Sequence, residues 1–124
     1  MPPTNVDSHS LVETLHDEAG AALRSVSIYD ETSYEMLYLR ENVEAIYSKA
    51  EIEEIFQDLR LEGWGRDSLE ERFNAGSLEC SVYGFEEAMM FHFVTDGFGG
   101  ALVTFDRGQG IETEAFMQAC KQEL

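Results

Sequence analysis

The pattern of apolar and polar positions divides the chain into helical and extended segments. Apolar residues recur every three or four positions where a helix would bury one face, and they alternate with polar residues where a strand would. Helices are predicted from Ser8 or Ser10 to Gly20, from Ser48 to about Gly63 and over about 112–123, and strands over 23–29, 34–40, 78–83, 88–95 and 101–106. The predicted element order is therefore α-β-β-α-β-β-β-α.

The first two strands are joined by the polar residues 30–33, which predicts a hairpin. Alternation places Val26 and Ile28 on one face of the first strand. It places Leu37 and Leu39 on one face of the second. The opposite face carries four large side chains, Tyr29, Tyr34, Met36 and Tyr38. This face is either an interface with another protein or a face that a helix of the same chain covers, and the sequence leaves both interpretations open.

Two stretches match the capping box, in which a serine and a glutamate three residues later each bond the other's backbone at a helix start. The first, 48–51, begins the central helix, and the second, 68–71, predicts a short helix inside the loop 62–76. An extra helical turn is predicted from Asn42. The apolar stripe of the central helix is Ile52, Ile55, Phe56 and Leu59. The last helix is expected to point Ala115, Phe116 and Ala119 inward.

These elements predict one α+β domain over 10–124, after a leader over 1–9 that is expected to be disordered. The fold is an antiparallel five-stranded sheet, built from a hairpin plus a three-strand meander, with helices on both faces. The strand 88–95 is apolar almost throughout, as expected where both faces of a strand are covered. The element order resembles the roadblock/profilin-like architecture, and the helix ending at Gly20, followed by Ala21-Ala22-Leu23, resembles roadblock sequences locally. This resemblance implies a dimerising scaffold or a regulator of small GTPases.

The net charge of the chain indicates the kind of cell in which the protein works. The 124 residues include 25 acidic and 8 basic side chains, a net charge of −17, and the acids are spread along the whole chain. Such self-repulsion destabilises a compact state in dilute buffer and is screened in concentrated salt. In this the chain resembles the small acidic proteins of haloarchaea; an acidic protein from a low-salt cell is the alternative. Nucleic acid is a disfavoured partner, because no predicted element carries a stripe of basic residues.

No export signal or apolar run of membrane-spanning length is found, so a cytoplasmic protein is expected. Cys80 and Cys120 lack the spacing of a redox or metal motif and are expected to be buried free thiols. No metal site or cofactor is predicted, since the three histidines are widely separated. No catalytic set can be assigned from the sequence either.

Two functional hypotheses remain. The first is a non-enzymatic interaction module, with a homodimer or another protein as partner, whose candidate interface consists of the four large side chains of the hairpin. The second is a small-molecule or anion-binding, or catalytic, domain that uses glycine-rich loops. Its candidate ligand-binding residues are His92, Arg107, Gly108 and Gly110. His92 stands out between two phenylalanines, and the glycines precede a helix N-terminus where backbone N–H groups could hold an anion.

Overall fold

A computed structural model describes residues 7–62, 65–96 and 99–124. The helices are α1 (Ser8–Ala19), α2 (Glu41–Glu44), α3 (Lys49–Glu62), α4 (Arg66–Phe73) and α5 (Thr113–Glu123), and a 3-10 turn, Gly20–Ala22, follows α1. The strands are β1 (Leu23–Tyr29), β2 (Tyr34–Leu39), β3 (Ser81–Gly84), β4 (Ala88–Asp96) and β5 (Gly99–Asp106). The α+β class and the predicted order of helices and strands are confirmed.

The five strands form one antiparallel sheet in the order β2-β1-β5-β4-β3. The hairpin β1-β2 joins the meander β3-β4-β5 through the pairing of β1 with β5, in which Tyr29 lies opposite Gly100. Because β5 separates β1 from β4, side chains of these two strands can meet only by reaching across β5. Gly100 is where this happens.

The face of the sheet under α1 and α5 holds the larger apolar cluster. Its buried members are Leu11, Leu15, Leu23, Val26, Ile28, Phe91, Phe93, Ala101, Val103, Phe105, Phe116 and Cys120. Three phenylalanine rings of this cluster lie with centroids 4.7 to 5.5 Å apart. The hydroxyls of Ser10 and Thr14 both donate to the carboxylate of Glu123, which fixes α1 against α5.

The opposite face, under α3, is filled far less completely. Its buried cluster consists of Tyr29, Phe56, Leu59 and Leu102. Phe56 is 1% exposed and stacks on the ring of Tyr34 with centroids 4.6 Å apart. The predicted stripe of the central helix therefore faces the sheet, although Ile52 and Ile55 are only half-buried. The two faces of the sheet differ in how much apolar surface their own helices cover.

The prediction that Leu37 and Leu39 share a face was wrong. Val26 pairs with Tyr38 and Ser27 with Met36, so that Leu37 is the extra residue of a β-bulge. Leu37 and Tyr38 both pack against the larger cluster, whereas Leu39 lies on the α3 face. One inserted residue shifts the alternation by one position, which exchanges the faces of the side chains beyond it.

The first capping box is confirmed and the second is not. The Ser48 backbone N–H donates to Glu51 Oε1 at 3.0 Å, and the Glu51 N–H donates to Ser48 Oγ at 3.1 Å. These bonds lower the pKa of the Glu51 carboxyl. In α4 the helix has already begun at Arg66, so Ser68 lies inside it and its hydroxyl accepts from Arg72 Nε at 3.3 Å. A serine within a helix cannot cap it.

The starts of β3, β5 and α5 differ from prediction. β3 begins at Ser81, three residues later than expected, and β5 begins at Gly99, two residues earlier than expected. Glu112 is the N-cap of α5, where its carboxylate accepts from two backbone N–H groups. Ala115 is exposed, contrary to prediction, because the buried face of α5 is centred on Phe116, one position further round the helix.

The N-terminal helix begins earlier than the predicted domain boundary. Asp7 is its N-cap, and the helix begins at Ser8, the earlier of the two predicted starts, so that Ser8 and His9 of the predicted leader are helical. The predicted stop at Gly20 is confirmed, with a positive φ of 57° that glycine adopts without strain. Residues 1–6 lie outside the described residues, as do the pairs 63–64 and 97–98. Within the described ranges, no helix has the length and apolar character to cross a membrane.

All six arginines contact groups of the fold itself. Arg24 and Arg40 both pair with Asp106, at 3.3 and 2.8 Å, and the Arg40 hydrogen bond is the main reason why the pKa of Asp106 is lowered. Arg60 donates to the backbone carbonyls of Asp30 and Ser33, which ties α3 to the β1-β2 turn. Arg66 bonds to Val94 O and to Glu70. Arg72 donates to the Ser68 hydroxyl, and Arg107 donates to Phe85 O.

Candidate functional site

A buried polar pair lies at the centre of the α3 face. The hydroxyl of Tyr29 and Nε2 of His92 are 2.6 Å apart, and both residues are about 1% exposed. Burial raises the pKa of Tyr29 to about 12 and lowers the pKa of His92, so both side chains are uncharged at neutral pH. The Glu62 carboxylate, 3.4 Å from the other ring nitrogen Nδ1, favours the neutral tautomer with its proton on Nδ1, and in that tautomer the Tyr29 O–H donates to Nε2.

The other ring nitrogen of His92 faces the end of α3. Nδ1 lies 3.4 Å from Glu62 Oε1, but it has no hydrogen-bond partner of acceptable geometry among the described residues. Glu62 Oε1 accepts from the hydroxyl of Tyr83 in a short hydrogen bond. Burial, followed by this contact with Glu62, raises the pKa of Tyr83 to about 12. Tyr29, His92, Glu62 and Tyr83 thus form one polar line from the sheet interior to the edge strand β3.

His92, Glu62 and Tyr83 line a cavity of about 160 Å³ between α4, β3 and β4. Its apolar walls are Leu69, Leu78 and Val94. Three further polar residues, Arg66, Glu79 and Ser81, also line the cavity. Small apolar walls with a few convergent polar groups are typical of a ligand site.

A larger groove of about 670 Å³ separates α2 and α3 from the middle of the sheet. Met36, Leu39, Ile55, Met90 and Leu102 form its floor and walls. Ile46, Tyr47 and Phe85 also line it, and they are 61%, 40% and 54% exposed. Four acidic residues, Asp58, Glu62, Glu86 and Glu87, and one basic residue, Arg24, line it as well. The groove is the space that α3 leaves unfilled on its face of the sheet.

The sequence of the chain matches a known protein family. A family model described as "Domain of unknown function (DUF7522)" matches residues 9–124. The chain belongs to the DUF7522 family. No curated protein matches it in sequence.

Among solved structures, the DUF7522 chain is similar to Myxococcus xanthus MglB, a roadblock-fold protein. The TM-score is 0.56, the sequence identity is 9%, and the match covers 98% of this chain and 90% of that chain. At this identity the likeness shows the fold alone. The predicted roadblock-like architecture is therefore confirmed, and what the DUF7522 chain does has to be argued from its own residues.

The hairpin side chains proposed as an interface are used mainly inside the fold. Tyr29 is buried against His92, Tyr34 stacks on Phe56, and Tyr38 packs edge-on against the ring of His16 at 4.5 Å. Only Met36 of the four lines the groove. These contacts favour the alternative that the sequence left open, cover by helices of the same chain. The prediction of one shared face was wrong, because the β-bulge at Leu37 places Tyr38 on the α1 face of the sheet. The apolar side chains that reach solvent beside the groove come instead from the α2-α3 and β3-β4 connections.

The four proposed ligand-binding residues do not come together. His92 pairs with Leu102 in the middle of the sheet, whereas Arg107 follows β5 and its backbone N–H bonds to Glu87 O. Five strand positions separate them, which is about 17 Å at the rise of a strand. Gly108 and Gly110 have φ of 84° and 70° and are exposed, as turn glycines are. Of the four, His92 alone lines either of the two cavities described above.

Both cysteines are free, Cys120 buried and Cys80 half-buried, and burial raises the pKa of each thiol to about 12. In the part of the chain that the structure describes, no cluster of three or more acidic, histidine or cysteine side chains could hold a metal ion.

Sequence reasoning missed Glu62 and Tyr83. Glu62 is one of 25 acidic residues, and Tyr83 is the last residue of a predicted strand, so neither carries a local signal. The sequence feature that could have indicated the site is His92, because a polar residue within an apolar strand needs a buried hydrogen-bond partner.

Proposed function

We propose that the protein is a small, non-enzymatic interaction module that works as a homodimer in the cytoplasm of a salt-adapted cell. The observation that carries the proposal is the groove on the α3 face, about 670 Å³ in volume and rimmed by exposed apolar side chains. Its own helix covers this face incompletely, so a second protein surface is the natural cover.

A second copy of the chain fits the groove by symmetry. In a two-fold dimer each copy presents the same patch, so that Ile46, Tyr47 and Phe85 of one copy meet the groove of the other. An apolar centre with a polar rim is the usual composition of such an interface. The acidic residues at the groove, Glu86 and Glu87 among them, then face like charges, so that association needs salt.

The test is the mass of the full chain in solution. Light scattering in about 2 M KCl should return twice 14.0 kDa, and the dimer should weaken at about 0.1 M, where screening is poor. Phe85→Glu, in the groove, should give a monomer at both salt concentrations. Leu61→Glu is the matched control, because Leu61 is 60% exposed on α3 and does not line the groove. A mass near 14.0 kDa at every protein concentration overturns the proposal.

A further inference from the structure

The cavity beside His92 adjoins the proposed dimer groove, with which it shares Glu62 and Tyr83, but His92 and the apolar walls of the cavity do not line the groove. We propose that the cavity binds a small uncharged molecule that carries one hydroxyl or carboxamide group on an apolar body. His92 is 1% exposed, lines the cavity, and has one ring nitrogen without a partner among the described residues. A buried polar atom left unpaired is costly, so a water, an ion or a ligand atom is expected to pair with it.

The tautomer of His92 determines what this nitrogen can bind. The Glu62 carboxylate beside Nδ1 favours the neutral tautomer with its proton on Nδ1, in which Nε2 accepts from the Tyr29 hydroxyl. Nδ1–H is therefore a donor. The ligand must place a hydrogen-bond acceptor against it.

Glu62 sets the second requirement. Its Oε1 lies 3.4 Å from Nδ1 and already accepts from Tyr83, and a carboxylate oxygen has room for a further donor. A hydroxyl or a carboxamide can accept from Nδ1–H and donate to Glu62 at once. An anion is repelled by the Glu62 carboxylate. The nearby Arg66 guanidinium does not offset this, because it is already bonded to Glu70 and to Val94 O.

The cavity also limits the size of the ligand. Its volume, about 160 Å³, is close to the roughly 150 Å³ of an apolar protein cavity that holds benzene. The walls of Leu69, Leu78 and Val94 favour an apolar body of that kind. A molecule of about ten non-hydrogen atoms is the upper limit.

A matched series of three probes tests the chemistry. Benzamide, benzoate and toluene have similar size, but only benzamide offers an uncharged group that both accepts and donates. Titration of the full chain in about 2 M KCl, followed by calorimetry and by the ¹⁵N resonance of His92 Nδ1, should give saturable benzamide binding, about tenfold or more tighter than that of the other two. The proposal is overturned if toluene binds as tightly as benzamide. It is also overturned if benzamide binding does not saturate and the Nδ1 resonance does not move, because the cavity then holds only water.

Two variants locate the binding. Leu78→Phe fills the cavity from its wall and should reduce benzamide affinity by about tenfold or more. Phe85→Glu, in the groove, should leave benzamide binding unchanged while it abolishes the dimer, so that failure of one proposal is distinguishable from failure of the other. Retained benzamide affinity in a folded Leu78→Phe protein also overturns the assignment. Should that variant not fold, the probe series decides alone.

Discussion

The hydroxyl of Tyr29 reaches Nε2 of His92 by crossing over Gly100, a residue of the strand that separates theirs. A Cβ added at Gly100 would lie 2.6 Å from the Tyr29 hydroxyl oxygen and 2.3 Å from Phe93 O. The missing side chain is what allows a contact between β1 and β4 across β5. One glycine thus makes room for the buried polar pair.

Gly100→Ala should therefore destabilise the protein strongly, by about 3 kcal/mol or more, since the clash is partly with backbone and cannot relax cheaply. Chemical denaturation in high salt measures the loss. The control is Gly65→Ala, where the added Cβ meets nothing within 4 Å and φ is negative. Equal stability of the two variants would show that the Tyr29 ring does not lie over Gly100.

Tyr29→Phe removes the donor to His92 and keeps the ring. It should cost about 1–3 kcal/mol of unfolding free energy, because Nε2 is left buried without a partner. Tyr34→Phe is the control, since the half-buried Tyr34 ring keeps its stacking on Phe56. If both variants melt like the parent protein, the hydrogen bond contributes nothing to stability.

The lowered pKa of His92 predicts a pH dependence of stability. Below the unfolded-state pKa of about 6.5 the unfolded chain takes up a proton that the buried ring refuses, so stability falls as the pH drops from there through the lower folded-state pKa. Burial lowers the pKa of His92 more than the attraction of Glu62 raises it. The slope is at most about 1.4 kcal/mol per pH unit.

Denaturation midpoints between pH 7.5 and 5 in high salt measure this slope, with His92→Asn as the comparison that lacks the titrating ring. All other titratable groups are the same in the two proteins, so their contribution cancels in the difference between the slopes. A parent protein whose slope matches that of His92→Asn would contradict a buried neutral imidazole.

Salt should raise the melting temperature steeply between about 0.1 and 1 M KCl, as the Debye length falls from roughly 10 to 3 Å and the repulsion among 17 excess negative charges is screened. Replacing the exposed pair Glu53 and Glu54 by glutamine should raise the midpoint at low salt and change little at high salt. Any further gain above about 1 M comes from salting-out, so sulfate should exceed chloride. A midpoint that stays flat from 0.1 to 2 M is the contrary result.

Phe56→Ala should destabilise the fold by about 3–5 kcal/mol, because the ring is 1% exposed and contacts both Tyr29 and Tyr34. Ile55→Ala should cost less, since Ile55 is half-buried beside the groove. Glu53→Gln on the exposed side of α3 is the control. Thermal melts of the three variants give the ranking, and a Phe56→Ala protein as stable as Glu53→Gln would place the helix in a different rotation.

The sequence predicted elements where local periodicity decides the structure. The capping box 48–51, the stripe of Phe56 and Leu59, and the stop at Gly20 all depend on neighbours within one or two helical turns. The β-bulge at Leu37 carries no such signal, because it arises from how β2 pairs with β1. A single extra residue there reversed the predicted face of Leu39.

The candidate site was harder to predict for the same reason. Tyr29 and His92 are 63 residues apart, and their contact depends on strand order and on the register that places Gly100 between them. The sequence pattern shows that His92 is an unusual residue for an apolar strand, but it does not identify the residues that His92 contacts. Arg107 had a plausible local setting, yet the sheet places it at the far end from His92.

Every arginine is bonded within the fold, and this affects the electrostatic surface that other molecules encounter. Six guanidinium groups bond to backbone carbonyls, hydroxyls or carboxylates of the chain itself, and Lys121 pairs with Glu79. The excess of 17 negative charges is balanced by dissolved cations that gather around the carboxylates. The salt concentration of the medium therefore sets how far the negative field of the protein extends toward an approaching molecule.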